Sequence, residues 1–89
     1  MADSERSDSV REFVLHRYVE PARQRGDHVF LVRVADVHEQ MHLKNSLPAV
    51  SAALGANKFI ELAHVKRLAV DGPLNGASCL FIFRLDEVN

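Results

Sequence analysis

His38-Glu39-Gln40-Met41-His42 sets two imidazoles four residues apart, with a carboxylate beside the first. On a helix that spacing turns both rings to one side. There they could hold a zinc ion while the glutamate takes a proton from a bound water, the chemistry of peptide hydrolysis. Glu61 follows His42 by 19 residues and is the candidate third ligand. His38, His42 and Glu61 therefore define one reading of the chain, a minimal zinc metallopeptidase. Serines 46, 51 and 78 lack the glycine elbow of a nucleophilic serine, and no glycine-rich phosphate loop is present. His16, His28 and His64 read as boundary residues.

The residues around the histidines argue against a metal site. The extended zinc-peptidase pattern wants uncharged residues two before the first histidine and two after the second, where Asp36 and Lys44 stand. If Val37 and Met41 face a core, the histidines point about 100° away, toward solvent. Leu43, Asn45 and Pro48 imply that a turn has begun by His42, so the second ring would not sit on a helix. His42 falls where such a turn needs a left-handed residue, and histidine is enriched there among residues other than glycine. The expectation is a non-catalytic protein without a cofactor.

Several elements can be placed from spacing. Residues 1–8 are polar and without apolar periodicity and read as a mobile tail. Ser9 and Glu12 form a capping box that opens a helix, with Val10, Phe13, Val14 and Tyr18 as its core stripe. Pro21 should bend or end it, and Arg23, Arg25 and Gly26 suit a helix C-terminus. His28 to Val34 is a strand by its β-branched and aromatic content. Asp36 to Met41 is a short helix, and the next should start close to Pro48, with Asn45 or Ser46 satisfying its free N–H groups. Gly55 ends that helix, and a further turn runs through Phe59 and Leu62. Val65 to Val70 and Ser78 to Leu85 are strands joined by a loop with Asp-Gly and Asn-Gly turn signals. Cys79, Phe81, Phe83 and Leu85 share one face of the last strand and Leu80 and Ile82 the other, so that strand should be central.

Eighty-nine residues suit a single domain able to hide about 60 to 65% of its unfolded surface. The 47% hydrophobic and 26% charged content is that of a globular protein. No apolar run approaches the roughly 20 residues of a membrane span. One cysteine, Cys79, forms no internal disulfide and reads as a small buried hydrophobe in a reducing, cytoplasmic setting. The formal charge is -1, yet residues 9–85 carry 10 basic and 7 acidic side chains, a net of +3 that permits a polyanionic partner.

Helix, strand, helix, turn, helix, strand, hairpin loop and strand is an order that resembles the winged helix-turn-helix DNA-binding family over about Ser9 to Leu85. Glu20-Pro21-Ala22-Arg23, Arg25-Gly26, Asp36-Val37-His38, Leu43-Lys44-Asn45 and Pro48-Ala49-Val50 are similar to runs in small prokaryotic proteins of unassigned function, sometimes found near restriction or mobile-element genes. The resemblance implies an α+β winged helix: a three-helix core with a small antiparallel sheet ending in a hairpin wing over residues 9–85, with residues 86–89 a C-terminal tail. It also implies a partner, double-stranded DNA, and a role in transcription regulation or beside a restriction or mobile-element system. The residues expected to face DNA are Lys44, Asn45, Ser46, Ser51 and Ala52, then Asn57 and Lys58, with Lys66, Arg67 and Arg33 on phosphate and Asn75 and Gly76 at the wing tip. With so few cations, specific binding would call for a homodimer or a larger assembly. The rival reading is a winged helix that docks a protein partner through its apolar hairpin or first helix and never touches DNA.

Overall fold

The computed structural model describes residues 2–73 and 76–86. They form an α+β arrangement of helices packed on one face of a three-stranded antiparallel sheet. In chain order the elements are α1 (Ala2–Val14), a π-helical segment (Leu15–Val19), α2 (Glu20–Arg25), β1 (Val29–Arg33), α3 (Val34–Gln40), α4 (Leu47–Gly55), α5 (Asn57–Ala63), β2 (Val65–Asp71) and β3 (Leu80–Leu85).

The first helix starts at Ala2, so residues 2–8 are helical and not a tail, and Ser9 lies inside the helix instead of capping it. Pro21 neither ends nor breaks it. A proline lacks the N–H that would bond four residues back, and its ring crowds that carbonyl. Here the π segment absorbs the conflict by widening the preceding turn, and the Glu20 N–H reaches Leu15 O five residues back. The extra residue also shifts the apolar stripe. Val10, Val14, Val19 and Ala22 are buried, while Phe13 and Tyr18 pack at its margin. Gly26, left-handed at φ 79, ends α2 with paired bonds from Gly26 N to Arg23 O and from Asp27 N to Ala22 O.

β3 is central, in the order β1-β3-β2, as the apolar content of both its faces predicted. Phe81 and Phe83 point into the core. Phe83 stacks on Phe30 with centroids 5.3 Å apart and meets Phe59 edge-on at 5.2 Å. β2 pairs with β3 through a bulge between Arg67 and Ala69. Beyond β2, Gly72 has φ 89, and a Cβ there would stand 2.9 Å from Ser78 O, so the return of the chain needs glycine.

α4 is the most enclosed of the short helices. Val50, Ser51, Ala53 and Leu54 are buried, with α1 across them. Arg11, only 9% exposed, reaches from α1 to the Ala53 carbonyl at 3.2 Å, so a charged group fixes the contact between the two helices. Arg23 does the same between α2, α5 and β3. Its guanidinium donates to the Ala63, His64 and Asp86 carbonyls at 2.7, 2.8 and 2.6 Å, joining α2 to the end of α5 and the end of β3. No helix among the described residues is long and apolar enough to cross a membrane.

Candidate nucleic-acid interface

The turn from α3 to α4 is built around His38. α3 ends at Gln40, and the chain reverses with His42 at φ 57 and Asn45 at φ 51. His42 N donates to Glu39 O and Leu43 N to His38 O, each at 3.0 Å, a paired C-terminal cap with histidine in the place usually held by glycine. The side chain of His38 then closes the far side, its Nε2 accepting the Ser46 N–H at 3.1 Å. Accepting there leaves the ring proton on Nδ1 in this state. One residue thus receives both strands of the turn, through its carbonyl and through its ring.

That arrangement separates the three proposed metal ligands. His38 Nε2 is occupied by a backbone N–H, His42 lies beyond the last residue of α3, and Glu61 is on α5. The i, i+4 spacing survives in the sequence without the helix that would align the rings. Among the described residues no three His, Cys, Asp or Glu side chains gather where a metal ion could be held.

The residues expected to face DNA divide into three groups. Lys44 and Asn45 are exposed at the turn, and among the described residues their side chains have no hydrogen-bond partner. Asn57 and Lys66 are likewise exposed, as are Arg33 on β1 and Ala52 on α4. A second group is exposed but engaged. Lys58 Nζ lies 3.1 Å from the Asp8 carboxylate, and Arg67 donates to Gly55 O at 2.8 Å, holding the C-terminal end of α4. The third group is not at the surface. Ser46 is 3% exposed and Ser51 4%. Ser46 does not cap α4, because its hydroxyl donates to Lys44 O at 2.8 Å and accepts from Arg6 at 3.1 Å. Ser51 Oγ is buried and, among the described residues, has no hydrogen-bond partner. Asn75 lies outside the described residues.

α4 therefore offers little to a base edge. Its exposed residues are Pro48 and Ala52, with Leu47, Ala49 and Gly55 half-covered, and none carries a hydrogen-bonding side chain. The polar contacts stand instead at its two ends, roughly 14 Å apart by helical rise. Beside it runs a groove of about 600 Å³, lined by Ser51, Ala52, Gly55, Ala56, Arg67 and Phe81.

Asp8 is a contact that sequence reading assigned to a tail. Its carboxyl is held below the usual carboxylate range, first by the hydrogen bond from Lys58 and then by the charges of Lys58 and Arg11. Sequence reading also missed the outer face of the sheet, where Val29 is 42% and Leu31 54% exposed beside half-covered Leu80 and Ile82. Alternation along β1 could not show it, because Val29 to Val32 is apolar at every position. Compared with protein-family models, with curated proteins and with solved structures, the chain matches none.

Proposed function

We propose that the chain is a non-catalytic winged helix that binds double-stranded DNA through the sugar-phosphate backbone, with the turn before α4 as its point of contact. The order of the elements, the strand order β1-β3-β2 and the β2–β3 hairpin all support that fold. One observation carries the binding: Lys44 and Asn45 stand exposed on a turn whose backbone is fixed on both sides by His38. A lysine and an amide on a rigid turn suit phosphate oxygens. The small outer side of α4, Pro48 and Ala52, lets the duplex come close without reading it, since bidentate pairing with bases needs Arg, Asn or Gln there. Binding is then largely indifferent to sequence. Transcription regulation, or accessory work in a restriction or mobile-element system, is the role such a module would serve in the cytoplasm.

Fluorescence anisotropy of the full chain with random duplex DNA at two salt concentrations tests this reading. Affinity that falls steeply as salt rises is the expected result. No binding at low salt, or binding indifferent to salt, removes it.

A second reading, a protein-docking module, is favoured by the exposed apolar positions Val29 and Leu31 on the outer sheet face. Under it, Leu31→Ser weakens a complex with the partner and leaves any binding to DNA unchanged.

A further inference from the structure

β2 has β3 on one side and, among the described residues, no strand on the other. Six of its seven residues are exposed, Leu68 at 48% and Val70 at 37%. An edge of this length with apolar residues at its centre is a template for pairing with another chain. The strand reads Lys66-Arg67-Leu68-Ala69-Val70-Asp71, a cation near its start and an anion at its end. Among the described residues neither Lys66 nor Asp71 takes part in an ion pair or a side-chain hydrogen bond.

The bulge decides how those charges can be used. In a regular strand two residues five apart point to opposite faces. Here Lys66 is opposite Arg84 and Asp71 opposite Leu80, partners four apart on β3, so both side chains stand on the outer face of the sheet. Arg67 and Val70, opposite Phe83 and Phe81, both stand on the core side. An antiparallel pair of identical β2 strands must match face with face. Pairing about Leu68 would set Lys66 against Val70, outer face against core side, which the pleat forbids. Pairing with Arg67 opposite Val70 matches both faces and sets Lys66 opposite Asp71 twice by symmetry.

We propose that the edge of β2 pairs antiparallel with the same strand of a second copy of this chain, Lys66 of each copy facing Asp71 of the other. The occupant is argued from this self-complementarity: the charges that meet are opposite, no like charges are opposed, and Leu68 and Val70 lose exposure to water. The result is a six-stranded sheet across a twofold axis, a closed arrangement that stops at two copies. It stands independently of DNA binding.

Sedimentation equilibrium of the full chain over a concentration series tests it. The expected result is a mass that rises toward twice that of the monomer, more weakly at high salt. Lys66→Asp and Asp71→Lys, each placing like charges opposite one another twice, should raise the dissociation constant about tenfold. The double reversal Lys66→Asp with Asp71→Lys should return it to within about threefold of the original. A chain that stays monomeric at about 1 mM overturns the proposal. So does a dimer indifferent to both single reversals, or a double variant no tighter than the singles.

Discussion

The imidazole of His38 on α3 and the backbone N–H of Ser46, the residue before α4, lie 3.1 Å apart and hold the two helices in register. The histidine that suggested zinc chemistry is part of the frame. His38→Ala leaves a part-buried N–H without a partner and should cost about 1 kcal/mol in urea denaturation. His38→Gln retains an acceptor and should recover part of that loss. Equal stability of the wild type and the alanine variant would show that water replaces the ring.

His42 occupies the left-handed region at φ 57 without a glycine's freedom. His42→Gly should therefore raise stability by up to about 1 kcal/mol, and His42→Val should lower it by more, since a β-branched side chain fits that region worst. Thermal denaturation of the three proteins gives the order.

Arg23 donates to three carbonyls from two elements. Arg23→Ala should cost roughly 2 to 3 kcal/mol, the worth of hydrogen bonds from a charged donor. Arg23→Lys should rescue little of it, because one ammonium cannot reproduce the spread of a planar guanidinium. Full rescue by lysine would reduce the contact to simple charge.

Two exposed pairs set opposite pH limits. His16 is held above its ordinary range, first by its hydrogen bond to Glu20 and then by the charge of that carboxylate, with Glu12 adding. Its contribution is complete below the ordinary imidazole range and is lost as pH rises through the raised value. Asp8 is shifted downward, so its contribution is complete above the ordinary carboxylate range and is lost as pH falls through the lowered value. Thermal midpoints against pH should flatten on the alkaline side in Glu20→Gln and on the acid side in Asp8→Asn.

For the DNA reading, Lys44→Ala should weaken binding to random duplex and lower the slope of log affinity against log salt by about 1. Lys58→Ala should matter less, because Asp8 already answers that charge. The reverse order would move the contact from the turn to α5.

Much of the frame was legible because local chemistry dictated it: Pro48 in the first turn of α4, Gly26 ending α2, His42 in the left-handed region, β3 as the central strand. The failures have physical causes. Ser9 and Glu12 have the letters of a capping box, but the polar run before them is itself helical, with Asp8 tied to Arg11 and Lys58. Serine suits a solvated face, yet Ser46 and Ser51 are both buried, Ser46 with its hydroxyl bonded to Arg6 of α1 and Ser51 beside Arg67 and Phe81 along the groove. Arg67, expected on phosphate, is exposed and donates to the Gly55 carbonyl at the end of α4, an acceptor with which a phosphate would compete. Such competition between a ligand and the protein's own backbone leaves no mark in spacing.

The π segment from Leu15 to Val19 makes the first helix sensitive to counting. Its additional residue rotates everything beyond it by about 100° relative to an uninterrupted α-helix. Deleting one residue there would restore ordinary helical bonding and yet swing Arg23 away from the Ala63 and His64 carbonyls and Val19 out of the core. Length is therefore constrained more tightly at this point than residue identity: a substitution at exposed Arg17 should pass almost unnoticed, whereas a single-codon deletion beside it should not.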